Sequence, residues 1–417
     1  MTRLALGVLL VLLASAVLMA CGGTVAIQCD QNSTCDLSSG GICSTSGTGN
    51  RWCAYPDPSC LSGYRYSTFQ VGDGLSGVCI AAGIDAGVDA PSNLTCKRRV
   101  AFVDNTSGKG EIWVTNPDGS GLVNVSDNAS SNDTDPNWSP NGLSIAFTSD
   151  RTGNANIFRV NFDGSGLVNL TNSTVSGYNP VWSPDGTRIA FVRQASVGPS
   201  RSTVWIMNAN GSGATQVSIL GFATHLAWSP GGDKLVFNVY DPTAFPGISV
   251  PLLYVADLRT GASPLKLTQQ TKLGEQRVSW APATRIAFDN AYDVITTNGD
   301  GANPVNVTKG VGDNYWPHIV HNGDAVILTS DRDAGHQEVW SVDANGGSPT
   351  QITRNTLTGG ADILTDVSAD ELFIAYRHQT GTGTSEVGVI SIDGMISHTF
   401  SAPGGSDVTY IKFASCP

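Results

Sequence analysis

Seven short apolar triplets recur along the chain from residue 100 onward: Val100-Ala101-Phe102, Ile145-Ala146-Phe147, Ile189-Ala190-Phe191, Leu235-Val236-Phe237, Ile286-Ala287-Phe288, Val326-Ile327-Leu328 and Ile374-Ala375-Tyr376. Their last residues lie 45, 44, 46, 51, 40 and 48 positions apart. A unit of this length with several strands cannot bury its own faces, so the copies must stack on one another, and the period is that of a β-propeller. Three triplets follow an aromatic-Ser-Pro turn, at Trp138-Ser139-Pro140-Asn141-Gly142, Trp182-Ser183-Pro184-Asp185-Gly186 and Trp228-Ser229-Pro230-Gly231-Gly232, with Trp280-Ala281-Pro282 a shortened fourth copy.

Each triplet is followed by a third strand centred on Trp113, Phe158, Trp205, Tyr254, Ile295, Trp340 or Val389. Turns such as Asn116-Pro117-Asp118-Gly119 and Asn161-Phe162-Asp163-Gly164 come next, then an alternating fourth strand, as in Leu122-Val123-Asn124-Val125-Ser126. Asp-Gly and Asn-Gly tolerate the positive φ that antiparallel reversal demands. A calcium loop needs a spaced run of ligands ending in Glu, which these turns lack. The expected fold is therefore all-β, a seven-bladed propeller over residues 96–417.

Where W-S-P-D-G, I-A-F, D-G-S-G and V-N-L-T recur in this order, the chain resembles the TolB-like, WD40-like (PD40) β-propeller repeat family over about three quarters of its length. TolB has six blades behind a small α/β domain, whereas seven units stand here behind a Cys-rich segment, so the resemblance does not carry over the Tol-Pal role.

The first unit lacks an aromatic-Ser-Pro strand before Val100, and Val408-Thr409-Tyr410-Ile411-Lys412-Phe413 supplies one at the other end, with Phe413 in place of the repeated Trp. Pairing the two termini closes the ring without leaving an open sheet edge. It also brings Cys96 and Cys416 to the position of the absent hairpin, which predicts a disulfide between them.

The N-terminal ninety-five residues read differently. Arg3 precedes an apolar run from Leu4 to Ala20, the pattern of a signal peptide over residues 1–20. Leu18-Met19-Ala20-Cys21 resembles the lipobox of bacterial lipoproteins, which implies lipid attachment at Cys21 and anchoring in the cell envelope. Gly22 points to the outer membrane by analogy with enteric bacteria. The eight remaining Cys are an even number in an exported chain, where disulfides persist. Six of them, Cys29, Cys35, Cys43, Cys53, Cys60 and Cys79, fall in a stretch poor in Leu, Ile and Val, so residues 21–80 are expected to form a small module held by three disulfides in any of fifteen pairings. A zinc site is disfavoured because the stretch has no Cys-x2-Cys and no His. Residues 81–95 read as a flexible linker.

Alignment of the units on the Trp places Asp135, Asn179, His225, Arg277, Trp316, Leu364 and Tyr410 at the mouth of the central channel, flanked by Asp133, Tyr178, Glu275, Tyr315 and Asp362. This mixture of aromatic, polar and charged groups suits a protein, peptide or glycan ligand. The net charge of −12, with Lys97-Arg98-Arg99 the sole basic cluster, disfavours nucleic acid. No catalytic residue, metal site or cofactor is expected: there is no G-x-S-x-G elbow and no hydrolase domain follows the propeller. The alternative is a metal-dependent polysaccharide lyase of the oligogalacturonate-lyase-like kind, with His225 and His318 as ligands and His321 turned away. His336, His378 and His398 read as surface residues, and Asp150-Arg151 and Asp331-Arg332, each in T-S-D-R, as ion pairs at a blade rim. A monomeric, non-enzymatic binding lipoprotein, touching the membrane only through its lipid, is the expectation.

Overall fold

The computed structural model describes residues 98–194, 202–218, 222–240, 251–267, 277–281, 285–290, 292–320, 323–333, 336–355, 360–403, 405 and 407–414, together with the strands Ile42–Thr45, Arg51–Pro56 and Tyr64–Tyr66. Two compact units divide the chain, Met1–Leu94 and Thr95–Pro417. In the first, the three strands form one antiparallel sheet in chain order, and the register sets Cys43 directly opposite Cys53. Cys21, Cys29, Cys35, Cys60, Cys79, Cys96 and Cys416 lie outside the described residues.

The second unit is a seven-bladed β-propeller of seven four-stranded antiparallel sheets, as the repeats predict, and no α-helix occurs among its described residues. The first strands of blades 2 to 7 are Asp133–Trp138, Gly177–Trp182, Phe222–Trp228, Val278–Trp280, Asn314–Val320 and Ala361–Val367. Blade 1 takes its first strand from the far end of the chain: Val408–Phe413 pairs antiparallel with Val100–Asp104, and the Ala414 N–H continues the ladder to the Arg99 carbonyl at 2.7 Å.

The apolar triplets form the second strands, buried on both faces because a neighbouring blade covers each side. Phe102, Phe147, Phe191 and Phe237 are among the largest fully buried side chains. The core is accordingly not central. It lies in the joints, where one cluster joins Ala101 and Val103 of blade 1 to Ile145 and Phe147 of blade 2, and another joins Val100 and Phe102 to Phe373 and Ala375 of blade 7. Each such side chain contributes roughly 1.5–3 kcal/mol by leaving water.

Polar contacts set the blades' relative height. The Trp138 and Trp228 indole N–H groups donate to the Lys412 and Val181 carbonyls of the preceding blades, at 3.1 and 3.0 Å. In the same sense, the Trp182, Ile319 and Phe413 amides donate to Asn137, Ser279 and Asp366 of the preceding blades. The Ser-Pro turns are closed by their own Ser: Ser183 Oγ donates to Asp185 and accepts from the Arg188 amide, while Gly186 takes the φ of +68° that the turn requires.

Three expectations need correction. The residue facing Tyr376 in blade 7 is Gly388, not Val389, and a Cβ there would fall 2.3 Å from the Tyr376 ring, which fills the place of the third-strand side chain. The T-S-D-R residues do not pair with each other. Asp150 and Asp331 accept the Asn132 and Asp313 amides, whereas Arg151 reaches Asp133 at 2.9 Å and Arg332 reaches Asn314 at 2.8 Å, at the start of each blade's first strand. His378 is half-buried rather than free on the surface: its Nδ1 lies 2.7 Å from Asp362, a buried side chain.

Direct partners in an antiparallel pair are about 4.5–5.5 Å apart at Cα, within the span a disulfide needs. Peptide mapping under non-reducing conditions should therefore recover Cys43 joined to Cys53 and, from the ring closure, Cys96 joined to Cys416. The latter bridge would stabilise the ring by up to about 5 kcal/mol in the chain-entropy model. Recovery of Cys96 linked to any cysteine of the first unit removes the closing bridge.

Candidate ligand-binding site at the channel mouth

Near its outer end, the first strand of several blades gives up regular pairing. Asp135-Pro136 oppose the single residue Phe147, Asn179-Pro180 oppose Phe191, Trp316-Pro317 oppose Leu328, and Tyr410-Ile411 oppose Phe102. These are β-bulges, which re-aim a side chain where a straight strand would bury it. The first residue of each pair is left-handed, with φ of 54° at Asp135, 53° at Asn179, 56° at Trp316 and 50° at Tyr410. Asp and Asn accept this conformation readily, but for bulky residues it costs on the order of 1–3 kcal/mol and persists only where the surroundings enforce it. In blade 4, Thr224-His225 oppose Asn238, whose side chain accepts the His225 amide at 2.7 Å.

The bulges bring together most of the residues singled out from the sequence. Asp135, Tyr178, Asn179, His225, Arg277, Trp316, Leu364 and Tyr410 line one cavity of about 800 Å³, within the range of small-ligand and peptide sites. Tyr178 and Tyr410 stand at its lip, 40% and 43% exposed. Tyr315 is not in the lining. It packs beside Trp316, with ring centroids 6.4 Å apart, and donates its hydroxyl towards Asp313 at 3.4 Å. Asp133 and Asp362 are buried at the strand starts rather than at the mouth, and Glu275 and His321 lie outside the described residues. His336 and His398 are not among the lining residues.

Sequence reasoning missed Lys412, Gln194 and Ser202, which line the cavity, whereas His318, named from the sequence with His225 as a channel ligand of the alternative reading, is in the lining. Lys412 aligns with Asn137 and Ser279, where other blades carry a joint-sealing polar group. Its ammonium bonds Asp366 of blade 7 at 3.2 Å.

Depth controls the charge in this cavity. Water reaches Asp135 and His225, but protein surrounds them. Burial pushes the Asp135 carboxyl above the usual range against bonds from Thr148 and Thr134 at 2.9 and 3.1 Å. Burial, then the Arg277 and Lys412 charges, depress the His225 imidazole to about 3. Burial also lowers His318. Near neutral pH both imidazoles are uncharged, and among the described lining residues the fixed cations are Arg277, whose guanidinium lies 4.8 Å from the Trp316 ring centroid, and Lys412. A base held near 3 is poorly matched to proton abstraction at neutral pH. Among the described residues no three His, Cys, Asp or Glu side chains are grouped as a metal site.

Fold and site together define a closed seven-bladed propeller with an aromatic and polar channel mouth. The TolB beta propeller domain family (PD40) matches residues 82–282, and the propeller is TolB-like. Similar solved structures include TolB from Acinetobacter baumannii, 17% identical with a TM-score of 0.50, the likeness covering 76% of this chain and 66% of that one. The β-propeller domain of the Trilobed protease from Pyrococcus furiosus is 15% identical with a TM-score of 0.52, over 73% of this chain and 92% of that one. That propeller is described as having an open velcro topology, whereas Val408–Phe413 closes this ring. An oligogalacturonate lyase in complex with manganese is 15% identical, with a TM-score of 0.51 over 72% of this chain and 83% of that one. These likenesses concern the fold. No curated protein matches the chain significantly.

The joint between blades 6 and 7 contains a titratable cluster. The Asp362 bond holds the His378 imidazole above its ordinary value, and burial raises the carboxyl of Glu338, which also bonds Thr353 at 2.6 Å. Both groups bind protons more tightly folded than unfolded. Their contribution is full below the unfolded pKa, about 6.5 for His, and is lost as pH rises through the folded value. The depressed His225 and His318 act in the opposite sense, so the test is a difference: the excess in urea midpoint of the unaltered propeller over its His378→Gln variant should shrink as pH rises from 6 to 8.5. A difference between the two proteins that stays constant or grows over this range contradicts the assignment.

Proposed function

We infer that the chain is a non-enzymatic lipoprotein of the bacterial cell envelope whose propeller binds a protein, peptide or glycan at the channel mouth. The observation that carries this reading is the set of left-handed bulge residues, bulky Trp316 and Tyr410 among them, that hold aromatic and polar side chains around one cavity. Strain of this kind concentrates where a ligand is received. The TolB-like fold supports a binding scaffold in general terms. The metal-dependent lyase remains the second reading because His225 and His318 are both uncharged and line the same cavity.

Tyr178 and Tyr410 are exposed, so their removal should leave the fold intact. Affinity capture from detergent-solubilised envelopes with the chain and with its Tyr178→Ala/Tyr410→Ala variant, read by mass spectrometry, should yield components lost by about tenfold or more with the variant. Identical capture by both proteins contradicts the site. Stoichiometric metal in the purified chain, with polysaccharide cleavage abolished by His225→Ala, would replace it by the lyase.

Lipidation at Cys21 follows from the Leu18-Met19-Ala20-Cys21 motif. The mature chain should partition into the detergent phase of a phase-separating extraction, and Cys21→Ser should move it to the aqueous phase. Aqueous partition of the unaltered protein rules out the anchor.

A further inference from the structure

The channel wall is chemically uneven. The bulge residues form its mouth, and two positions further along the first strands Asn137, Val181, Ala227, Ser279, His318 and Lys412 form a deeper tier. In blades 3 and 4 this tier is apolar, and Val192, Ala223 and Leu226 of the same two blades join Val181 and Ala227 in the lining. A recess of small aliphatic groups therefore occupies one side of the cavity, next in the ring to Arg277 of blade 5.

The polar part of the wall is short of acceptors. Among the described residues Asp135 is the one acidic side chain in the lining, where Thr148 and Thr134 bond it and burial makes it reluctant to ionise. The Asn137 side chain accepts the Trp182 amide at 2.9 Å, Ser279 Oγ the Ile319 amide at 3.1 Å and Ser202 Oγ the Ala223 amide at 3.0 Å. Donors are in excess: the indole N–H groups of Trp280 and Trp316, both lining residues, have no acceptor among the described residues. Of the two cations, the Lys412 ammonium is bonded to Asp366 at 3.2 Å, and the Arg277 guanidinium is positioned over Trp316, 4.8 Å from the ring centroid. A guanidinium matches a carboxylate through two parallel N–H···O bonds. A sugar would bring hydroxyl donors to a wall whose acceptors are engaged, and a phosphate dianion would bring more charge than one guanidinium matches.

We propose that the cavity takes a ligand made of an apolar group ending in a carboxylate, with the carboxylate on Arg277 at the mouth and the apolar group against Val181, Leu226 and Ala227. The C-terminal residue of a peptide and a free organic acid share this chemistry. The proposal deepens the binding reading above and rests on it.

The test is isothermal titration calorimetry of the full chain with acetyl-Ala-Leu bearing a free carboxylate, its C-terminal amide, hexanoate, hexyl phosphate and glucuronate. The peptide acid should bind about tenfold or more tightly than its amide, and hexanoate more tightly than hexyl phosphate or glucuronate. A peptide acid that outbinds hexanoate assigns the ligand to a peptide terminus, and the reverse order assigns it to a free acid. Arg277→Gln should abolish the preference for acid over amide and Arg277→Lys should keep part of it, a change of ratio that loss of folded protein does not produce. Acid and amide bound equally, with both lost in the Tyr178→Ala/Tyr410→Ala variant, removes the carboxylate and leaves the mouth site standing. A preference for the acid that survives Arg277→Gln, tighter binding of glucuronate or hexyl phosphate than of hexanoate, or no binding of any probe also overturns the proposal, and tyrosine-dependent capture then decides the binding reading separately.

Discussion

A blade whose second strand is apolar on both faces cannot exist in isolation, and this single constraint organises the rest of the propeller. Phe147 needs Ala101 and Val103 on one side, and Ala146 needs Phe191 and Trp182 on the other. The requirement passes from joint to joint until it returns to blade 1, where Val100 and Phe102 must meet Phe373 of blade 7. An open arc would leave two such faces in water. Pairing of Val408–Phe413 with Val100–Asp104 removes that penalty, since one sheet then contains both ends of the propeller. The closing strand also contributes Tyr410 and Lys412 to the channel, so the element that closes the ring helps build the site.

The site is a product of the same geometry. First strands run nearest the axis, and a regular strand there would alternate its side chains between the two joints. The bulges at Asp135, Asn179, Trp316 and Tyr410 break that alternation once per blade and release side chains towards the channel. What they release is chemically mixed. Burial leaves His225 and His318 uncharged and makes Asp135 reluctant to ionise, which leaves Arg277 and Lys412 as the cations of a cavity in a chain of net charge −12. Such a surface orients a ligand through a few fixed charges and holds it by its aromatic rings.

Much of this was legible in the sequence because it repeats. Triplets, Ser-Pro turns and Asp-Gly turns obey local rules, and counting back three positions from each Trp reached residues that line the cavity. What escaped was interaction between segments. Arg151 was assigned to its neighbour Asp150, yet its partner is Asp133, eighteen positions away across the strand pair. His378 looked like a surface residue because nothing nearby in the chain announces Asp362. Lys412 was passed over because its role appears only once the closing strand stands beside blade 7. The bulges did leave a mark, the Pro at 136, 180 and 317 inside what reads as a strand, since Pro cannot donate to the ladder there.

Amide hydrogen exchange of the intact chain, resolved to the terminal segments, addresses ring closure most directly. If Val408–Phe413 seals the propeller and carries Tyr410 and Lys412 into the channel, its ladder amides and those of Val100–Asp104 should exchange as slowly as those of Ser144–Ser149 and Ala325–Ser330, inside the ring. Exchange of the two terminal strands at loop rates, with the other blades still protected, would show an open ring and contradict a site that depends on closure.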